Sequence, residues 1–210
     1  LLRVGVPVAC QDGLIQVAFI IITIIANRRG LTDAAAVGIV EKVISFLFLV
    51  PSSMLSTVSA LGAQNVGAGK TKRAKHTLYT GVGVGLAVGC VVFMLVMFKG
   101  DLLAGFFTTD AAVVQSAFEY LKGFAAETLM TAILFSLIGY FNGNNKTVWV
   151  MTQGLFQTLL VRLPFAYVMS IQPNASLTKI GLAAPVSTTV GVIMSVIYYI
   201  YINRKSESES

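Results

Sequence analysis

The sequence has little charge, few cysteines and a single histidine. Only 11% of its 210 residues are charged, whereas a soluble domain usually carries about 25%. Its two cysteines, Cys10 and Cys90, both lie in apolar runs. Together with one histidine they cannot supply the four ligands of a zinc site, and burial is more typical of such cysteines than a disulfide. We therefore predict no metal site, no redox centre and no other cofactor.

Hydrophobic residues are abundant instead. They make up 56% of the chain, and the mean hydropathy is +0.81. The excess of 15 Lys and Arg over 9 Asp and Glu is typical of cytoplasmic loops that face anionic lipid. No basic patch is interleaved with aromatic residues, so we expect no nucleic-acid partner. These features predict an integral membrane protein whose partner is the lipid bilayer.

A transmembrane helix needs about 20 mostly apolar residues. Six stretches meet this length, and short polar segments rich in Gly and Asn separate them. The predicted spans are approximately 4–26, 36–63, 77–98, 120–141, 147–171 and 180–201. We expect residues 1–205 to form one all-α membrane domain, a six-helix bundle, followed by a polar disordered tail at 206–210.

The distribution of Lys and Arg predicts the orientation in the membrane. With six spans both termini lie on one side, and that side carries eight basic residues against four on the other. The eight are Arg3, Lys70, Lys72, Arg73, Lys75, Lys146, Arg204 and Lys205, and the four are Arg28, Arg29, Lys99 and Lys179. We therefore predict a multi-pass protein of the cell membrane with cytoplasmic termini.

Two further patterns concern the chain's start and its packing. The chain begins at Leu1 without an initiator Met, and its first apolar stretch is longer than the roughly 7 to 15 residues of a signal-peptide core. We expect a fragment of a longer protein.

In the third span, Gly81, Gly85 and Gly89 recur every four residues, a spacing that permits close approach of another helix.

The loop predicted between the second and third spans carries a motif. It reads Ala63-Gln64-Asn65-Val66-Gly67-Ala68-Gly69-Lys70, followed by Arg73-Ala74. This resembles the QNxGAGxxxRA signature of the multidrug and toxic compound extrusion (MATE) family. Four other segments occur in the order typical of that family's C-terminal lobe: Gly5-Val6-Pro7, Val37-Gly38-Ile39-Val40-Glu41-Lys42, Phe141-Asn142-Gly143 and Arg162-Leu163-Pro164. The resemblance extends over essentially the whole chain.

The resemblance implies one lobe of a twelve-helix antiporter that exports amphipathic or cationic organic compounds and admits protons or sodium ions. This chain would be the C-terminal half, and its partner would be the N-terminal six-helix lobe of the same transporter. Asn142-Gly143 stands where many members have Arg-Gly, and the coupling acid that many members carry in the first lobe is absent here. The sequence therefore leaves the coupling ion open between a proton and sodium.

Asp12 is predicted deep in the first span. An ionisable group near the bilayer centre costs at least about 2.5 to 3.5 kcal/mol, so it is a functional candidate until a partner explains it. Asp12 lies about 12 Å from the cytoplasmic end of a span that begins at Val4, and Gln16 follows one turn later on the same face. A carboxylate in an internal cavity can hold a cation or proton. The alternative is a structural hydrogen bond from Asp12 to a neighbouring helix.

Glu127 and Arg162 are predicted at similar depths, about 21 Å and about 24 Å from a shared cytoplasmic turn. A structural ion pair between them competes with cation binding. Thr131 lies one turn from Glu127, and the resemblance implies cation-site residues in this part of the fourth span in some MATE transporters. Asp12 and Glu127 are our predicted cation- or proton-binding residues. Their predicted depths differ by about 10 Å, so we do not expect one ion to bridge both. The supporting polar residues are Gln16, Thr131 and Arg162.

Other functional classes remain compatible with hydropathy alone. Glu41 and Lys42 precede an apolar run, so we expect them at the outer membrane interface. A six-span homo-oligomeric channel or scaffold is the main alternative to a transporter. A membrane-embedded enzyme is less favoured because it needs paired catalytic groups, whereas His76 lies alone in a basic loop. We predict a multidrug efflux transporter that is not an enzyme.

Overall fold

Helices account for all regular structure in the residues that the structure describes. The computed structural model describes residues 13, 16–17, 20–24, 27, 30–172 and 176–208. Its helices are α1 Leu31–Leu47, α2 Leu49–Gly67, α3 Thr71–Gly105, α4 Ala111–Phe124, α5 Glu127–Gly143, α6 Thr147–Leu155, α7 Leu163–Ile171, α8 Leu177–Gly181 and α9 Ala183–Ser208, with a π-helical segment Phe156–Arg162 between α6 and α7. The predicted all-α class is confirmed.

Several helices have the length and apolar character of membrane spans. Among the described residues, three helical stretches are each long and apolar enough to cross a membrane alone: Thr71–Gly105, Thr147–Ile171 and Leu177–Arg204. Two pairs reach that length together but bend, α1 with α2 by 41° and α4 with α5 by 51°. The second and fourth predicted spans fall on these bent pairs. The first predicted span lies largely outside the described residues, so the count of six spans stays a prediction.

Two of the predicted turns contain a residue with a positive φ, a backbone conformation typical of turns. Gly69, between α2 and α3, has a φ of 72°, which glycine adopts without a steric penalty. Asn145, between α5 and α6, has a φ of 57°, and Asn is among the few other residues that tolerate this region. At the other end of the chain, α9 continues to Ser208. Residues 206–208 therefore belong to α9.

Helix α3 breaks where the third predicted span ends, at residue 98. The backbone at Lys99 is non-helical, with φ −136° and ψ 23°, and a short helical stretch then continues to Gly105 before the connection to α4. Asp110 accepts two backbone hydrogen bonds from the first turn of α4. This side-chain cap stabilises the start of the helix. The connection therefore lies at residues 106–110.

The glycines of α3 form a close contact with α5, as their spacing predicts. A Cβ atom at Gly85 would lie 3.3 Å from the Cβ of Ala132, and one at Gly89 would lie 3.0 Å from the carbonyl oxygen of Thr128. Gly81 lies on the same face, where an added Cβ would also meet a side chain of α5. The absence of side chains on this stripe lets the two helices approach closely.

On its other side, α5 presents two glycines to α2. A Cβ atom at Gly139 would lie 2.6 Å from the carbonyl oxygen of Leu55, and one at Gly143 would lie 2.8 Å from that of Ser59. No side chain fits between the two backbones at these points. Helix α5 is therefore held directly between α2 and α3, which fixes the position of its first turn.

The bundle has a buried interior and an apolar exterior. One cluster of buried apolar side chains lies mainly between α1, α4 and α8, and another lies mainly between α2, α3 and α5. Large apolar side chains also remain on the outer surface, including Phe98 at 67%, Leu160 at 63% and Ile197 at 62% exposure. In water such a surface would be unfavourable, whereas lipid chains are as apolar as these side chains.

Candidate functional site: an acidic cavity

A cavity of about 530 Å³ opens among α1, α2, α5, α9 and the π-helical segment. This volume is within the range of small-molecule sites, roughly 300 to 1,000 Å³. Its polar and charged lining residues are Gln16, Glu41, Lys42, Ser45, Ser52, Glu127, Thr131, Gln157, Thr158, Arg162 and Thr188. Apolar side chains such as Phe48 and Phe135 complete the wall. The cavity therefore combines hydrophobic surface with charges of both signs.

Most of the predicted site residues meet in this cavity. Glu127, Thr131, Arg162 and Gln16 all line it, although they come from three separate predicted spans. Asp12, the remaining predicted residue, lies outside the described residues. The structure thus brings together four side chains that the sequence placed only by depth and helical face.

Glu127 lies in the first turn of α5, directly after the bend from α4. The positive end of the α5 dipole favours an anion at this position. The side chain is only 4% exposed, and its Oε1 accepts a hydrogen bond from the Thr188 hydroxyl at 2.9 Å. Its Oε2 is buried and receives no hydrogen bond from the described part of the chain. One carboxylate oxygen is thus satisfied and the other is not.

Thr131 presents a second buried oxygen on the same wall. It lies one turn after Glu127 in α5, and among the described residues its Oγ1 makes no hydrogen bond of full geometry, although the hydroxyl lies near enough to the Glu127 carboxylate to interact with it. Buried polar atoms usually have partners, so each exception calls for an explanation. Carboxylate and hydroxyl oxygens are suitable ligands for a hard cation. The two atoms together make this wall suited to hold one.

Arg162 balances the acidic wall from the end of the π-helical segment. Its side chain is 9% exposed, lines the cavity and interacts electrostatically with Glu127. The hydrogen bond to the carboxylate nevertheless comes from Thr188. The two alternatives from the sequence, a structural ion pair and cation binding, both stay predictions.

The π-helical segment explains why Gln157 and Arg162 line the same cavity. In an α-helix of 3.6 residues per turn, positions five apart point about 140° away from each other. In a π-helix the backbone hydrogen bonds join positions five apart, so these residues lie about one turn apart. Pro164 lies two residues after the segment and cannot donate a backbone hydrogen bond into it. This missing donor favours a departure from α-helical geometry.

A chain of hydrogen bonds that the sequence analysis missed leads to Glu127. Gln153 Nε2 donates to Gln157 Oε1 at 2.7 Å, and Gln157 Nε2 donates to Thr188 Oγ1 at 3.0 Å. Thr188 then donates to the carboxylate. Two glutamines four residues apart on one face of an apolar span were the available signal. Thr188 had no signal of its own, since many apolar helices contain threonine.

Glu41 and Lys42 also line the cavity, which the sequence did not predict. Glu41 Oε1 accepts a hydrogen bond from the Thr23 hydroxyl at 3.0 Å. We expected both residues at the outer interface because they precede an apolar run, and their depth in the membrane stays a prediction. The bend between α1 and α2 makes α1 a separate helix with a polar face toward the cavity.

The family loop motif lies away from the cavity and builds a connection. Asn65 near the end of α2 accepts a backbone hydrogen bond from Lys70 at 2.8 Å, and its side-chain amide donates to Leu61 at 2.8 Å. None of the motif residues lines the cavity: these are Gln64, Asn65, Gly67, Ala68, Gly69 and Arg73. Within the described ranges, no group of three or more His, Cys, Asp or Glu side chains is placed to hold a metal ion.

An all-helical bundle with an apolar exterior and a charged internal cavity is typical of multi-pass membrane proteins. Comparison with known families agrees with this class. The MatE family model matches residues 7–168, and the chain belongs to the MatE family.

The curated relatives are multidrug resistance proteins of about twice this length. The chain is 23% identical over 211 residues to the probable multidrug resistance protein YoeA of Bacillus subtilis (strain 168), covering 99% of this chain and 45% of the relative. It is 26% identical over 170 residues to a probable multidrug resistance protein NorM of Listeria monocytogenes, covering 81% of this chain and 37% of that relative. The chain thus spans less than half the length of these relatives.

Solved structures share the fold over the same portion. An outward-facing multidrug resistance MATE family transporter of the MOP superfamily matches with a TM-score of 0.86 and 15% identity, covering 97% of this chain and 45% of that chain. An inward-facing conformation of a MATE family transporter of that superfamily matches with a TM-score of 0.85 and 14% identity, covering 100% and 49%. The bundle therefore has the fold of half a MATE transporter.

Proposed function

We propose that this chain is the C-terminal half of a secondary active antiporter that exports amphipathic or cationic organic compounds in exchange for protons or sodium ions. The observation that carries this proposal is the buried Glu127 carboxylate, whose Oε1 accepts a hydrogen bond from Thr188 while its Oε2 has no donor among the residues that the structure describes. A buried charge without full compensation is unfavourable. Binding of a coupling cation relieves this penalty.

Arg162 gives the proposed site the weak affinity that transport requires. A transport site must release its ion as well as bind it. The guanidinium lies in the same cavity and interacts with the same carboxylate, so it competes electrostatically with an entering cation. Glu127 and Thr131 then provide the ligands, and Arg162 keeps binding reversible. Gln16 lines the same cavity from the first span, and Asp12, one turn away in the sequence, is a second proposed cation- or proton-binding residue.

The proposed partner is an N-terminal six-helix lobe. The chain covers 45% of YoeA and 46% of a NorM relative from Mannheimia succiniciproducens, so an equivalent length is present in those proteins beyond the matched region. Secondary transporters commonly bind substrate between two repeats. We place the exported compound in the space between the lobes, in a cell-membrane protein whose lobe described here has cytoplasmic termini.

Gradient-driven export by the complete protein in proteoliposomes tests the proposal. A sodium or pH gradient should drive export of a fluorescent organic cation, and Glu127→Gln and Asp12→Asn should each abolish most of this export. Glu119→Gln is the matched control because Glu119 is an acid outside the cavity lining. Export by Glu127→Gln with the same cation dependence as the unaltered protein would refute the assigned role. Flux without any gradient would indicate a channel.

A further inference from the structure

We propose that Thr188, held in place by Gln157, is a positioning residue for the Glu127 carboxylate. Thr188 occupies Oε1 of Glu127 and so leaves Oε2 as the oxygen that meets a cation in the cavity. This inference rests on the proposed cation site. It goes further by assigning a role to α9 and to the π-helical segment, neither of which supplies the acid.

Thr188 differs from its neighbours in the direction of its hydroxyl. Ser187 donates to a carbonyl of its own helix at 2.8 Å, and Thr189 does the same at 2.7 Å. Such local bonds are the usual choice for hydroxyl side chains within helices. Thr188 instead donates across the helix interface to Glu127. A hydroxyl has one proton to donate, so this bond replaces the local one.

The hydrogen bond from Gln157 accounts for the direction in which the Thr188 hydroxyl donates. The Gln157 amide donates to Thr188 Oγ1 at 3.0 Å and thereby occupies an acceptor position of the hydroxyl. Gln153 donates to the Gln157 carbonyl oxygen at 2.7 Å, which orients the Gln157 amide group toward Thr188. All three hydrogen bonds are therefore donated in the direction of Glu127. Donation in one direction suits an ionised acceptor at its end.

Gly191 makes room for this arrangement one turn after Thr188 in α9. A Cβ atom at this position would overlap the side-chain amides of both Gln153 and Gln157. The two amides can lie against α9 only because position 191 has no side chain. Gly83 in α3 provides a contrast, since an added Cβ there meets nothing within 4 Å.

Loss of the Thr188 hydroxyl should weaken cation binding at Glu127. The carboxylate would lose the hydrogen bond that engages its Oε1, so its orientation would no longer be defined. Hydrogen bonds to charged groups are strong enough that we expect the apparent cation affinity to change about tenfold. A purely structural role would change protein yield without altering cation dependence.

The experiment measures export by the complete protein in proteoliposomes against sodium concentration at fixed pH and against pH at fixed sodium. Thr188→Val should shift the wild-type cation dependence by about tenfold in sodium or about one pH unit. Thr188→Ser should restore it because the hydroxyl is retained. Thr189→Val is the matched control, since it removes a neighbouring hydroxyl that bonds only its own helix. Unchanged cation dependence in Thr188→Val would overturn the inference.

A second pair of variants keeps the inference testable if Thr188→Val does not fold. Gly191→Ala should displace Gln157 and shift the cation dependence in the same way, whereas Gly83→Ala should leave it unchanged. Identical cation dependence in both glycine variants would count against the inference. Glu127→Gln distinguishes failure of the proposed cation site from failure of the proposed positioning role of Thr188. Normal coupling in that variant removes the proposed cation site, whereas lost coupling there with normal Thr188→Val removes only the positioning role.

Discussion

Replacement of Gly139 by alanine tests the close contact of α5 with α2. The added Cβ would lie 2.6 Å from the carbonyl oxygen of Leu55 and 3.1 Å from the Cβ of Val58. The shorter distance involves a backbone atom of a helix, so a rotamer change cannot relieve it. The two helices must move apart, and they form part of the cavity wall.

Two opposing effects set the size of the change. Insertion of a methyl group into a packed site typically destabilises by about 1 to 3 kcal/mol. Alanine favours the helical backbone over glycine by about 1 kcal/mol. We therefore expect Gly139→Ala to lower the free energy of unfolding by up to about 2 kcal/mol. Gly83→Ala meets no neighbour within 4 Å, so it should be neutral or slightly stabilising.

Thermal unfolding of the complete protein in detergent compares these two variants directly. Gly139→Ala should unfold at a lower temperature than the unaltered protein, and Gly83→Ala should not. Both substitutions add the same methyl group to a helix, so their difference isolates the helix contact. Equal stability of the two variants would refute the packing that places α5 beside the cavity.

Three further predictions concern charge pairing, topology and the missing half. Because Glu127 hydrogen-bonds to Thr188, Glu127→Gln and Arg162→Gln should each lower the free energy of unfolding by less than the roughly 3 to 5 kcal/mol of a broken buried ion pair. Severe destabilisation of both single variants that is restored in the double variant would contradict this. Lys72→Cys, without Cys10 and Cys90, should react with impermeant thiol reagents only from the cytoplasmic side, and labelling of intact cells from outside would overturn the topology. This chain expressed alone should not export dye; gradient-dependent export by it would contradict the two-lobe proposal.

The sequence predicted much of the site because charge is costly in an apolar span. Glu127 and Arg162 stood out for that reason, and their depths along adjoining helices placed them near each other. Thr131 followed from helical periodicity, since positions four apart share a face. The glycine stripe of α3 followed from spacing in the same way. These features depend on the sequence of a single helix, so they can be predicted without knowledge of how the helices pack.

Bends and contacts between distant helices could not be predicted. The break between α4 and α5 falls at Ala125 and Ala126, and neither residue has the backbone restriction of proline or the freedom of glycine. The π-helical register, which brings Gln157 to the cavity, depends on hydrogen bonds that hydropathy does not reflect. The bond between Gln157 and Thr188 spans 31 positions. Only the packing of α9 against the π-helical segment determines it.

Cation-dependent stabilisation of the purified complete protein tests the role of Glu127 most directly. A bound ligand raises the unfolding free energy by about 2.7 kcal/mol at one hundred times its dissociation constant. Melting temperature should therefore rise with sodium at constant ionic strength, or change across a pH series, in the unaltered protein and in Glu119→Gln. Glu127→Gln should lose this response while remaining folded. A response in Glu127→Gln equal to that of the unaltered protein would contradict cation binding at this carboxylate.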